Sequence, residues 1–538
     1  MPDSLDIQET PVLSGAGLLG LVTTGMYSDP LSMYREYLQN AADAIAAREL
    51  VATARVTITI DVSGRRVRIR DDGPGMSRKE ALERLLPIGR SSKRIGADRG
   101  FRGVGRLAGL AYAKTVSFST RACAEQSVTR ITWHSERLPD LASTESELDR
   151  AILDCVDIET LPGSDYPEHF FEVELGDVAR HSAGLVLNRE AVRDYIGEVC
   201  PVPLGTEFPF TERVERLFAA EELPLTLEVL LDGDSVPVER PHGQAVQLSN
   251  NTEVPFTEFQ EVRIPSVDDT GEAAIGWIAH SSYLGAIPRH GRLRGIRARV
   301  GNIQIGGEAV FDDLFAEERF NRWCVGELHI LDSRIIPNAR RDYFEPGPHL
   351  RNLENHLVPV LRHISALCRR ESAARNRTRK VLTALTNVEE LHALAISGLL
   401  TAEDSTRLVR EGLQQLQDLQ ESILQRDVES GTLERLEDAE SQLSSFSHRR
   451  VPPQLDDISP SEVVIYQKVF GALATLAPSP GIARNLIELV MAKTSKNHQG
   501  TPETDPDRIT INNSKAAVTL RRHTATNAES PDTQSNSS

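Results

Sequence analysis

The chain of 538 residues is poor in cysteine: Cys123, Cys155, Cys200, Cys324 and Cys368 are widely spread, and none belongs to a C-x-x-C pair. This argues against a zinc ribbon or a disulfide framework and suits a reducing compartment. Basic residues are in deficit, with 60 Lys and Arg against 78 Asp and Glu and a net charge of −18. A chain so charged gains no general attraction to DNA or to an anionic membrane, although a local basic patch stays open. No apolar run reaches the roughly 18 residues that would suggest a bilayer span, and the N-terminus has no basic stretch followed by an apolar core. The expectation is therefore a soluble, cytoplasmic protein with no membrane role. The pattern G-x-x-x-x-G-K-S/T is absent as well, so the chain offers no conventional P-loop.

What is present is 40% hydrophobic content, enough for about two or three globular units of roughly 100 to 200 residues each. Apolar and alanine positions recur at helical spacing from Asp29 to Glu49. Alternation follows at Val56, Ile58 and Ile60, then at Val67 and Ile69 beyond a turn at Ser63 and Gly64. Ser77 and Glu80 form a capping-box pattern for a second helix reaching Leu86. Strands are expected at Thr115 to Thr120, Val128 to Trp133 and Phe170 to Leu175, giving an α/β sandwich. Residues 224 to 345 again mix strands and helices, including Leu225 to Leu231, Ala274 to Tyr283 and Gly295 to Ile305, as a second α/β domain. From Glu354 to Leu443 the chain turns rich in leucine, glutamine and acids. Leu416, Leu419 and Ile423 share one helical face there, suited to packing on a partner or on the chain itself. Prolines at 452, 453, 478 and 480 punctuate a smaller helical piece, and beyond Lys493 the composition predicts a disordered tail. The fold class is thus α+β, divided as 1–215, 216–350, 351–445, 446–493 and 494–538.

Three sequence features carry chemistry. Glu36 and Asn40 stand at i and i+4 of one helix face, with Asp43 a further turn along. A carboxylate there can polarise a water for attack on phosphate, and an asparagine carbonyl suits magnesium; surface helices often carry such residues with no such duty. Asp71, Gly73, Gly75 and Met76 lie where a strand ends in an acid and a tight turn, and the aspartate could accept a hydrogen bond from an exocyclic amine such as adenine's. The bland alternative is an Asp-Gly turn with no ligand. Gly100, Gly103 and Gly105 with Val104 form a glycine loop whose amides could line polyphosphate at the start of an apolar helix from Leu107 to Ala113. A dinucleotide fingerprint fails on context, because the polar stretch from Ser91 to Arg99 precedes this loop instead of a first strand.

In this order and spacing the set resembles the GHKL ATPases, whose nucleotide fold, the Bergerat-type sandwich, has helices on one side of a sheet and a lid over the phosphates. The stretch from Leu18 through Tyr27, Arg35 and Glu36 to Ala44 is similar to the first helices of the ninety-kilodalton heat-shock chaperones. The resemblance implies ATP and Mg2+ as ligands. It makes Glu36 the general base, Asn40 the magnesium ligand and Asp71 the adenine reader. Gly73, Gly75 and Met76 form the turn under the base, Gly100, Gly103, Val104 and Gly105 hold phosphates, and Ser92 and Lys93 belong to the lid, where Lys93 could meet a phosphate. Asp43 is counted with the nucleotide-binding residues. The segment from Trp323 to Asp342 is similar to the chaperones' middle-domain segment that delivers an arginine to the γ-phosphate. The register of Asp332, Ser333 and Asn338 gives that role to Arg341, with Arg340 its neighbour. An Arg341 paired with Asp342 or Glu345 is the structural alternative.

The resemblance implies an ATP-hydrolysing switch with lid closure and homodimerisation, and it leaves the client or partner unnamed. The C-terminal region does not look like the chaperones' dimerisation domain, which puts client handling in doubt. The glycine loop followed by Leu107 to Leu110 also resembles the mismatch-repair MutL proteins. With Arg369, Arg370, Arg375, Arg377, Arg379 and Lys380, this keeps a MutL- or MORC-like DNA clamp as an alternative, against which the acidic total weighs. A histidine kinase reading is poor because the first histidine, His134, follows the nucleotide motifs. A nucleotide-gated interaction scaffold is the remaining alternative.

Overall fold

The computed structural model describes residues 29–46, 54–87, 105–137, 152–223, 226–268, 271–291, 293–338, 340–423, 430–447 and 458–497. The contacts divide the chain into a first unit, residues 1–376, and a second, residues 377–538.

The first unit opens with helix α1 (Ser32–Ala46), in which Met33, Tyr34, Tyr37, Leu38, Ala41 and Ile45 are buried. Strands β1 (Arg55–Asp61) and β2 (Arg66–Asp71) follow as an antiparallel pair, with Ile58 opposite Ile69. Their turn is held by the Asp61 carboxylate, which accepts from Gly64 N at 2.8 Å and from the Ser63 hydroxyl at 2.6 Å. Helix α2 (Arg78–Leu85) begins with the reciprocal capping box of Ser77 and Glu80 that the sequence pattern predicts. Strands β3 (Ala113–Arg121), β4 (Ser127–His134), β5 (Val156–Pro162) and β6 (Phe170–Val178) precede three helices, α3 (Arg180–Val186), α4 (Arg189–Val199) and α5 (Thr211–Ala220). Strand β7 (Glu228–Leu231) then pairs parallel to β1, completing a sheet of order β5-β4-β3-β6-β2-β1-β7. One sheet face, with Val56, Ile58, Val116, Trp133, Val173 and Leu175, shares its core with α1 to α4. The other carries charge, with Arg68 bonded to Glu174 and Arg70 to Glu172. This is the sandwich the sequence implies.

Three local expectations change, the first being that the strand expected over Leu225 to Leu231 in the second domain joins the first sheet as β7, paired to β1. The apolar stretch after the glycine loop is a 3₁₀ segment, Gly105–Ala111, and Ala113 already starts β3. Its tightness follows from Gly109, whose amide donates to the Tyr37 hydroxyl at 3.0 Å where a side chain would not fit. The helices between residues 180 and 220 were not expected at all.

Past β7 the chain forms a hairpin of β8 (Ala245–Gln247) and β9 (Glu253–Pro255), then a second sheet. Its strands are β10 (Glu258–Pro265), β11 (Glu272–His280), β12 (Gly295–Val300), β13 (Ile303–Ile305) and β14 (Val325–Ile330), in the order β10-β11-β14-β12-β13. Strands β12 and β14 are parallel and the other pairs antiparallel. One core holds Ile264, Ala298 and Leu328 together with Leu353, Leu357 and Leu361 of helix α6 (Pro348–Ile396). Another joins Trp277 and Phe259 to Phe208, Val214, Val246 and Phe256. Of the basic cluster on α6, Arg369 bonds Glu317 at 2.7 Å and Arg375 lies over the Trp323 ring at 5.4 Å, so both arginines serve this domain.

The second unit is helical: the end of α6, α7 (Ala402–Ile423), α8 (Ser430–Ser444), α9 (Pro460–Leu476) and α10 (Pro480–Asn497). Leu385, Leu408, Leu416, Leu436, Phe470 and Ile487 form its core, against which Leu419 packs, so the leucine face of α7 is used within its own chain. Helix α10 continues past Lys493, and the rest of the expected tail lies outside the described residues. Among the described residues no helix is long and apolar enough to cross a membrane.

Candidate functional site

Helix α1 is the hub. Glu36 is 5% exposed, and its Oε1 accepts from Arg35 Nε at 3.3 Å. Its Oε2 lies 3.6 Å from the Arg341 guanidinium, which also donates to Gln39 Oε1. Arg341 comes from the loop after β14, so the second sheet delivers a cation to a carboxylate of the first helix. Asp342 is bonded instead by Asn338 Nδ2 at 2.6 Å. Asn40 and Asp43 follow Glu36 along α1, both half-buried.

The glycine segment closes on the same helix. A Cβ at Gly105 would overlap the Glu36 carboxylate, and one at Gly109 would crowd the Tyr37 hydroxyl, so glycine is what lets this backbone reach α1. Ser92, Lys93, Gly100, Gly103 and Val104 lie outside the described residues.

Asp71 ends β2 and is buried, with Oδ1 accepting from Gly73 N at 2.9 Å. Burial pushes its carboxyl up to about 7; the Gly73 amide opposes this and the neighbouring Asp72 charge adds to it. The turn that follows is built against α1, since a Cβ at Gly73 would sit 3.5 Å from Ile45 Cγ1. Gly75 adopts φ +64, and a side chain there would run into the Arg121 carbonyl. Half-buried Met76 packs on the first core, while its amide donates to the Thr120 hydroxyl at 2.8 Å, which in turn donates to Phe170 O at 3.0 Å. His169 Nδ1–H donates to Gly73 O at 2.8 Å.

The structure thus brings Glu36, Asn40, Asp43, Gly73, Gly105 and Arg341 onto or against one helix, with Asp71 at the foot of the turn that meets its end. Sequence reasoning missed Gln39, Thr120 and His169. Only Gln39 left a local signal, its i+3 spacing from Glu36.

A second polar cluster lies where the end of α4 meets the second sheet. Glu327 is fully buried; its Oε1 accepts from Arg299 Nε at 2.7 Å, and its Oε2 accepts from Arg240 and, at 3.1 Å, from His329 Nε2–H. Arg299 also donates to Glu198 O at 2.8 Å and to Asn302 O at 3.2 Å, and Arg240 donates to Asn302 Oδ1. Burial would raise the Glu327 carboxyl, but the arginines and His329 hold it well below the usual range, while burial pushes His329 down to about 4 and keeps it neutral. This cluster fastens the two sheets' domains to each other.

Could the site take a magnesium nucleotide? Asn40 offers an amide oxygen at the right step from Glu36, Gly105 leaves no side chain between the glycine segment and the carboxylate, and no cation among the described residues offsets the burial of Asp71. These features fit such a ligand.

Residues 31–153 match the family model of histidine kinase-, DNA gyrase B- and HSP90-like ATPases. The chain is 39% identical over 95 residues to the chaperone protein HtpG of Rhizobium meliloti, covering 16% of this chain and 15% of the relative. It is 28% identical over 144 residues to the HtpG of Psychrobacter arcticus, 22% of each chain, and 30% identical over 129 residues to that of Acinetobacter baylyi, 20% of each. The matches therefore span less than a quarter of the length of these relatives. Within that reach, the chain carries a GHKL-type ATPase domain similar to that of HtpG.

Proposed function

We propose that the chain is an ATP-binding and ATP-hydrolysing conformational switch with the working parts of the heat-shock-90 type. The observation that carries this reading is the approach of Arg341 to Glu36, 3.6 Å between a cation of the second sheet's domain and a carboxylate of the first helix. Glu36 would orient and deprotonate the attacking water. Arg341 would face the charge developing on the transferred phosphoryl group, a task that suits a planar, permanently charged guanidinium. Asp71, as a carboxylate, would accept from the adenine amine. Gly73, Gly75 and Met76 would shape the turn beneath the base. Asn40 would hold Mg2+, which would supply charge neutralisation at the phosphates, and Asp43, a turn beyond, would belong to the nucleotide-binding residues.

The glycine loop from Gly100 to Gly105 would approach the phosphates, with Ser92 and Lys93 in a lid that closes on nucleotide. Lid closure, homodimerisation, chaperone action on a protein client and a cytoplasmic setting belong to this proposal as the HtpG likeness implies them. The Glu36→Ala variant tests it: nucleotide affinity should stay within about threefold of the wild type while hydrolysis falls to background. Unchanged turnover in that variant would sink the assignment.

A further inference from the structure

We infer that Gln39 is a positioning residue whose buried amide carbonyl holds the Arg341 guanidinium beside Glu36, so that the arginine is in place before nucleotide arrives. The inference rests on the composite-site reading above and deepens it.

Gln39 follows Glu36 by three positions on α1, so both side chains leave the same helix face. It is 1% exposed, and an amide so buried needs a partner for its oxygen. That oxygen accepts from Arg341, across the gap between the two sheets' domains. An arginine side chain on its own has many rotamers, most of which would point its charge elsewhere.

The other end of Arg341 is pinned by its backbone. Its amide donates to Asn338 O at 3.1 Å and its carbonyl accepts from Gly306 N at 2.8 Å. Asp342 N in turn donates to Asn338 Oδ1 at 3.2 Å. Arg341 itself sits at φ 58, a left-handed conformation uncommon for residues with a side chain. The loop thus fixes where the arginine starts and Gln39 fixes where it ends.

It matters that the partner is a residue other than Glu36. A carboxylate at 3.6 Å is beyond direct hydrogen-bond distance, whereas a bidentate pair would commit Glu36 to the arginine and spoil it as a base. Gln39 takes the hydrogen bond that Glu36 would otherwise take. The guanidinium stays near the site while Glu36 Oε2 remains available to water, Oε1 being already held by Arg35.

Four variants test this: Gln39→Met, which keeps volume and removes the acceptor; Gln39→Glu, which keeps an acceptor; Arg341→Ala; and Arg341→Ala combined with Gln39→Met. Turnover and nucleotide affinity are measured separately, with thermal unfolding of the nucleotide-free protein alongside. Gln39→Met should lower kcat by about tenfold or more with affinity held within about threefold. Gln39→Glu should recover most of the loss, and the double variant should turn over no slower than Arg341→Ala alone. Full turnover in Gln39→Met, or multiplicative losses in the double variant, would overturn the inference. If the wild type hydrolyses no ATP, the composite-site reading fails, and the melting temperatures still decide the contact. Shifts that are non-additive between Gln39→Met and Arg341→Ala support it, and additive shifts refute it.

Discussion

Asp71 and Glu327 are both buried carboxylates of the first unit, and their surroundings treat them in opposite ways. Glu327 is met by Arg240, Arg299 and His329, which hold it ionised. Asp71 has a backbone amide and a like-charged neighbour, and burial lifts it to about 7. A buried charge that is balanced within the chain is part of the frame, whereas a buried carboxylate that no described cation balances is a functional-site candidate. The contrast gives the candidate site its direction: Glu327 ties the second domain to the first through paired cations, and Asp71 meets none among the described residues.

The largest effect that could break this comparison is in Glu327→Gln. Removing the carboxylate leaves arginines buried together, and unfolding measurements should show a loss of about 3–5 kcal/mol. A neutral outcome would mean that the cluster is not the frame. Asp71→Asn should do the reverse, raising stability at pH 7.5 by on the order of 1–3 kcal/mol while lowering nucleotide affinity by about a hundredfold or more. Loss of both stability and binding would place Asp71 with Glu327.

The pH dependence sharpens the same point. The folded carboxyl of Asp71 titrates near 7 and the unfolded one near its ordinary value of 3.8, so the folded state holds more protons between them. Stability contributed by this group is full below 3.8 and is lost as pH rises to about 7. The advantage of Asp71→Asn should therefore be greatest above pH 7 and shrink toward zero by pH 4, read from denaturant unfolding at each pH. Binding that needs the carboxylate should release protons near pH 7, visible as a buffer-dependent enthalpy. At the small end, Leu476 is 80% exposed on α9, and Leu476→Ser should change stability by no more than about 0.5 kcal/mol.

Much of the first sheet was legible because its signals are local. Val56 and Ile58 alternate along one strand, Ser77 and Glu80 cap one helix, and Glu36 and Asn40 share one helix face. The likeness of the Trp323 to Asp342 segment to a known arginine loop also pointed to Arg341, whose side chain the structure lays beside Glu36. The rest depends on pairings across long separations. Nothing near Glu327 in the chain announces Arg240 or Arg299, and His169 reaches Gly73 only because β6 lies beside β2. The 3₁₀ turn at Gly105–Ala111 escaped for a related reason: its apolar residues read as helix, and only the Tyr37 hydroxyl above Gly109 shows why it is wound tighter.

The most direct test of the composite site is single-turnover ATP hydrolysis by Arg341→Ala, with nucleotide affinity measured on the same preparation. Affinity within about threefold of the wild type and hydrolysis slowed by about a hundredfold or more is the expected result. Hydrolysis at the wild-type rate would contradict it, and Arg341 would then be only a strut between the two domains.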